Sequence, residues 1–212
     1  MECNISPRCL KDLCPQNADV STSTWVAGAL GSTRLGSSLA VTDKTVRAYL
    51  DLLAGAYMVR LLEPFHANLG KRLVKSPKVY LRDSGVLHAL LGVNTYNDLL
   101  GHPVYGASWE GVVIATVAAV VRPDAALSHY RTSDGTELDL VIEHAGKRYA
   151  VESKASSAPT ATASLRHSIR DIEASHAWIV APVEGQWPLD ESLSVVSLDA
   201  LLTDPAFAVL RA

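Results

Sequence analysis

From Thr33 the chain reads TRLGSSLAVTDKTVRAYLDLLAGAYMVRLLEPF, and its apolar positions change period along the way. Leu35, Leu39 and Ala40 keep helical spacing, the tripeptide AVT breaks it, and Val46, Leu50 and Leu53 resume it at i, i+4 and i+7 behind a capping Thr42. Gly55 is placed to end this second helix, and YMVRLLEPF is a β-branched and aromatic run closed by Pro64. KVYLRDSGVLHALLG (residues 78–92) predicts a short strand, a turn and a helix carrying Val86, Leu87, Leu90 and Leu91. The Gly, Pro and Asn breaks of residues 93–108 predict a linker with a short helix and a domain boundary near Gly101.

The order helix, turn, helix, strand is that of a winged helix-turn-helix over residues 33–100, preceded by a poorly ordered or helical extension over residues 1–32. In that fold the second helix enters the major groove, which makes Lys44, Thr45 and Arg47 candidate base- and phosphate-contacting residues. A helical pair that packs on a partner domain is the alternative, and Asp43 and Asp51 on the same helix weigh towards it.

Beyond residue 101 the pattern predicts a second unit, residues 101–212. SWEGVVIATVAAVVRP reads as a buried helix capped by Ser108, with Glu110 in its first turn. ALSHYRTS, TELDLVIEH and KRYAVESKA alternate as three strands, TASLRHSIRDIEAS is an amphipathic helix, and HAWIVAP is a continuously apolar strand of the kind buried inside a sheet. The expected class is α/β (α+β), ordered α-β-β-β-α-β after the front unit.

Composition leaves this picture intact: of 212 residues, 48% are hydrophobic and 19% charged, as in an ordinary globular chain. The longest apolar run, residues 112–121, has about half of the roughly 20 residues a membrane span needs, so no membrane and a cytoplasmic location are expected. Cys3, Cys9 and Cys14 fit neither a disulfide framework nor a closed zinc site. The net charge is −3, unevenly spread. Residues 60–82 hold Arg60, Lys71, Arg72, Lys75, Lys78 and Arg82 against one acid, Glu63. Such a stretch suits nucleic-acid phosphates, with Lys71, Arg72 and Lys75 as candidate contacts, or is simply a solvated face.

Strand parity supplies the chemistry. With period two, Glu137, Asp139 and Glu143 are expected on one face of their strand and Leu138, Leu140 and Ile142 on the other. If the hairpin closes around Ala145-Gly146, Asp139 lies opposite Glu152 and Glu137 opposite Lys154. Like charges so placed destabilise a sheet. They either share a proton through a raised pKa or hold a cation, for which Mg²⁺ or Mn²⁺ with the backbone carbonyl of Ser153 is the more economical choice. Lys154 then orients a water or stabilises developing charge, and Glu110 is placed to support the site from the preceding helix. The alternative is a solvent-facing row of acids paired with Lys154 and Arg148.

These residues and their setting resemble the PD-(D/E)xK nuclease-like superfamily, with Asp139, Glu152 and Lys154 matching its motif and Leu138 standing where the proline of the family name would be. The resemblance implies that Asp139 and Glu152 bind Mg²⁺ and that Lys154 assists the attacking water in phosphodiester cleavage. Residues 33–202, through GASWEGVVI, YRTSDGTELDLVIE and AVESK, further resemble the C-terminal region of bacterial and archaeal AAA-type ATPases. No G-x-x-x-x-G-K-[ST] occurs, so no ATPase activity is expected from this chain. The resulting expectation is a metal-dependent, nuclease-like protein associated with nucleic acid, DNA foremost. The alternative is a catalytically inactive nucleic-acid-binding or partner-docking module of an ATPase.

Overall fold

A computed structural model describes residues 27–28, 40–66 and 73–212. The N-terminal extension with its cysteines, the first expected helix from Thr33 to Leu39, and the candidates Lys71 and Arg72 lie almost wholly outside the described residues. Among those described, the chain is mixed α/β, with a three-stranded and a six-stranded sheet.

The front unit contains β1 (Ala27–Gly28), α1 (Asp43–Gly55), β2 (Val59–Leu62), β3 (Lys78–Leu81), α2 (Ser84–Leu91) and α3 (Tyr96–Leu100). Thr42 caps α1 by accepting from the Thr45 backbone N–H at 3.2 Å, as its hydroxyl predicts. Of the expected apolar stripe only Val46 is buried; Leu50 is half-buried and Leu53 exposed. Asp83 caps α2, which ends on a left-handed Gly92, and Thr95 and Asp98 close a capping box on α3. The strands run β1-β3-β2, all antiparallel.

The second unit follows the predicted order and then exceeds it: α4 (Tyr105–Val120), β4 (Ala126–Arg131), β5 (Glu137–His144), β6 (Lys147–Ser153), α5 (Ala163–Asp171) and β7 (His176–Val180). It continues with β8 (Gln186–Pro188), β9 (Leu193–Val196), α6 (Leu198–Thr203) and α7 (Pro205–Ala208). The sheet order is β4-β5-β6-β7-β9-β8, parallel at β6/β7 and β7/β9 and antiparallel elsewhere. The apolar β7 is thus flanked on both sides. Val113, Ile114 and Val117 of α4 pack on one face with Tyr149, Val151 and Trp178; Leu165 and Ile172 pack on the other with Ala150, Ala177 and Ile179. Among the described residues no helix is long and apolar enough to cross a membrane.

Two sequence expectations need correction. Helix α4 begins at Tyr105, three residues before Ser108, and its start has no side-chain cap; Ser108 is buried instead, its Oγ 2.8 Å from His88 Nε2. The strict parity of β5 also fails. Ser128 pairs with Val141 and Tyr130 with Leu138, so Asp139 and Leu140 together oppose the single residue His129. This two-against-one bulge puts Leu138 in one core layer and Leu140 and Ile142 in the other.

The units are not separate bodies joined by a tether. Leu62 and Tyr80 enter the α4-side core, and Phe65 enters the α5-side core. Residues 63–65 and 73–74 hydrogen-bond along the free edge of β4, through Phe65 N–H to the His129 carbonyl (2.6 Å), His129 N–H to Glu63 (2.9 Å) and Val74 N–H to Arg131 (2.9 Å).

Candidate functional site

The β5–β6 hairpin closes on Ala145 and Gly146, both with positive φ, in a two-residue turn whose twist matches the flanking strands. Its register runs from His144↔Lys147 to Leu140↔Val151, which brings Asp139 level with Glu152 at the open end of the hairpin. There the strand ends meet the first turns of α4 and α5, and a cleft of about 450 Å³ opens. Glu110, Glu137, Asp139, Glu152, Ser153 and Lys154 all line it. The six residues singled out for chemistry in this half of the chain therefore share one cavity.

Their contacts differ from the simple face-to-face picture. Asp139 is 9% exposed; its Oδ2 accepts from the Ser153 backbone N–H (2.9 Å) and hydroxyl (2.7 Å). Ser153 thus acts on Asp139 as a donor. Lys154 Nζ donates to Glu152 Oε1 at 2.5 Å, and Glu137, expected opposite Lys154, turns instead to Lys78 (2.6 Å) and Arg131 (3.6 Å). Glu152 is 8% exposed, and its Oε2 is buried without a hydrogen-bond partner.

Lys78, expected only as part of the basic stretch, is a site residue. It is 2% exposed and its ammonium lies 2.9 Å from Glu110 Oε1, 2.6 Å from Glu137 Oε1 and 3.3 Å from Asp139 Oδ1. Tyr80, two residues along β3, donates to Glu110 Oε1 at 2.5 Å. The signal was available: KVYL alternates, and the buried positions are Lys78 and Tyr80 while Val79 and Leu81 are half-buried. Apolar character pointed to the wrong face because the buried face of β3 meets carboxylates.

Electrostatics follow from this arrangement. Burial alone would lower the Lys78 pKa, but Asp139, Glu110, Tyr80 and Glu137 outweigh it and hold the ammonium protonated far above neutrality. Burial, then the negative charge of Asp139, pushes both Glu110 and Glu152 up to about 7, against the pull of Lys78 on the first and Lys154 on the second. Lys154 is likewise raised: burial lowers it, and Glu152 more than compensates. Among the described residues no three His, Cys, Asp or Glu side chains converge as a metal-coordinating group. Three of the acids are organised around an ammonium instead.

The nucleic-acid candidates lie elsewhere. Lys44 and Arg47 are exposed on the first turns of α1, and Thr45 is half-buried, its hydroxyl 2.9 Å from that of Thr42. Arg47 and the exposed Lys75 line a groove of about 250 Å³ together with Asp51 and Glu63. Arg82 lies over the Tyr57 ring at 5.1 Å, and Lys78 turns inward, so the basic stretch is not one continuous surface.

Fold and cleft together define a mixed α/β protein with an acid-lined cavity, three of whose acids pair with a buried lysine. Residues 10–97 match a family described as a domain of unknown function, DUF8612, and residues 105–201 match another, DUF4143. All six cleft residues fall within the second match and Lys78 within the first. An uncharacterized protein of Mycobacterium bovis and one of Mycobacterium tuberculosis are each 42% identical over 181 residues, covering 84% of this chain and 41% of the relative. The chain therefore spans about two-fifths of the length of these curated relatives. No solved structure matches it.

Proposed function

We propose that the chain is a metal-dependent, nuclease-like protein associated with DNA, with Asp139, Glu152 and Lys154 as its hydrolytic site and a winged helix-turn-helix as its front unit. One observation carries this reading: the buried, unpartnered Oε2 of Glu152 beside Asp139 in a polar cleft. A buried carboxyl oxygen without a donor is met either by a proton, in line with its raised pKa, or by a cation, and the all-oxygen donor set suits Mg²⁺ or Mn²⁺. When bound, such an ion supplies Lewis acidity at a phosphate and activation of a water.

The remaining roles belong to the chain. Ser153 fixes Asp139 through two hydrogen bonds, and the short bond to Glu152 fixes Lys154. A raised pKa keeps Lys154 cationic, which suits it to stabilise charge building on the phosphate oxygens and excludes it as a base in this state. In the front unit, the antiparallel β2-β3 pair after α1 and the exposed Lys44, Arg47 and Lys75 support a winged helix facing phosphates, with Thr45 at the helix start. An ATPase domain or protein is the proposed partner, on the resemblance to the tail of AAA-type ATPases.

Purified protein with Mg²⁺ or Mn²⁺ is expected to cut duplex DNA, single-stranded DNA or RNA. Asp139→Ala should lower the rate at least about 100-fold, since it removes both a donor oxygen and the group Ser153 anchors. Uncut nucleic acid under all these conditions, or equal cutting by Asp139→Ala, defeats the reading. A catalytically inactive nucleic-acid-binding module is the second reading, favoured by the ammonium already lodged between Asp139 and Glu110. Salt-sensitive DNA binding without metal-dependent cleavage selects it.

A further inference from the structure

Lys78 stands apart from the residues the hydrolytic reading uses. It comes from β3 of the front unit, yet its ammonium sits among three carboxylates of the second unit at 2.6–3.3 Å. Glu152 is not among them: Oε1 is held by Lys154, and Oε2, on a side chain nine-tenths buried that lines the cleft, has no partner. The acid cluster thus holds two ammonium groups, Lys78 among three acids and Lys154 on Glu152, and keeps one carboxyl oxygen, Glu152 Oε2, without a partner.

Two features decide whether the Lys78 ammonium can be withdrawn. Lys78 pairs in register with Leu62, and both Leu62 and Tyr80 belong to the main core, so the backbone that carries the ammonium is fixed beside the acids. Withdrawal also removes the ammonium that Glu110 and Asp139 share in a largely buried setting, a strongly destabilising change. Charge balance agrees. With all four carboxyls ionised against the ammonium groups of Lys78 and Lys154, the deficit is one that a single divalent cation matches and two would overshoot. Arg131, more than a third exposed and 3.6 Å from Glu137, is largely screened by solvent.

We infer that Lys78 is a resident cation supplied by the front unit in place of a second metal ion, so that the site accepts a single divalent ion, at Glu152 and Asp139. Lys78 is accordingly a positioning residue: it holds Glu110, Glu137 and one oxygen of Asp139, and it makes the site a product of both units. The inference rests on the hydrolytic reading of Asp139 and Glu152 and adds a stoichiometry to it.

The test counts Mn²⁺ bound to the full chain, by calorimetric titration and by electron paramagnetic resonance of the free ion. The expected result is one Mn²⁺ for the parent and two for Lys78→Ala, with Mn²⁺ raising the melting temperature of the variant more than that of the parent. Lys78→Met, which retains most of the side-chain volume, serves where the alanine variant does not fold. Two ions in the parent overturn the inference, and so does an unchanged count in the folded variant. So does a parent that binds none while Lys78→Ala or Lys78→Met binds one, which would make the lysine a competitor of the metal. Cleavage with two ions bound sinks the single-ion inference alone; one ion bound without cleavage sinks the hydrolytic reading alone.

Discussion

His129 is fully buried on β4, its Nε2–H directed at the Ser76 carbonyl at 3.2 Å and its Nδ1 left without a partner. Burial, then the charge of Lys78, pushes its pKa down from 6.5 to about 4. Between about pH 4 and 6.5 the folded state therefore holds a neutral imidazole where the unfolded chain holds a protonated one. Stability from this residue is complete above pH 6.5 and is lost as pH falls towards 4, by up to about 3 kcal/mol. Glu110 and Glu152, raised to about 7, act in the opposite direction: their contribution is complete below about pH 4.5 and is lost as pH rises through 7. The two effects oppose one another in the parent, so the informative quantity is the difference between parent and His129→Gln. Thermal unfolding at steps from pH 7 to 4 should show the variant gaining on the parent by that amount; parallel curves would refute the assignment. Which acids and which lysine gather at the cleft was legible, because residue type and spacing carry it. That Lys78 joins them was not, because only the fold reveals that the face of β3 opposite Val79 meets carboxylates.

At the scale of elements, the β5–β6 hairpin sets the register of the site, and its turn is not optimal. Ala145 adopts φ 50 and Gly146 φ 74. Glycine takes this region freely, whereas alanine is strained there and asparagine tolerates it better. Ala145→Asn is expected to stabilise the protein by about 0.5–1 kcal/mol, and Ala145→Val to destabilise it by a similar amount or more. Urea titrations should move the midpoint at constant slope; an unchanged midpoint for both variants would show that the turn does not fix the register. This hairpin was readable from Ala-Gly between two alternating runs. The bulge at Asp139 and Leu140 was not, since it arises from unequal residue counts on two paired strands and leaves no mark on either alone. The strands β8 and β9 also escaped notice: QWP and LSVV are too short for a period, and β8 ends on a proline at the sheet edge, where a missing donor costs nothing.

At the scale of the whole molecule, the boundary near Gly101 divides the sequence more cleanly than it divides the packing. Phe65, from the front segment, is 2% exposed in the α5-side core, edge-on to Tyr130 at 6.4 Å and 5.6 Å beneath the Arg148 guanidinium. Together with Glu63 and Val74 it supplies the hydrogen bonds that finish the free edge of β4, and β4 carries His129, the residue opposite the Asp139 bulge. Three links therefore tie the front segment to the site: an aromatic anchor, a shared strand edge and the Lys78 ammonium. A linker between autonomous domains would show two unfolding transitions, but a shared core requires one. Phe65→Ala should cost about 3–5 kcal/mol through the cavity it leaves, and it should do so without splitting the transition. In a Trp25→Phe background, tryptophan fluorescence from Trp109, Trp178 and Trp187 reports the second unit, and far-ultraviolet circular dichroism reports all helices, α1 and α2 included. The two probes should give coincident midpoints in parent and variant alike. Separate midpoints would show that the front unit melts independently, and would leave Lys78 too loosely held to serve as a fixed cation in the cleft.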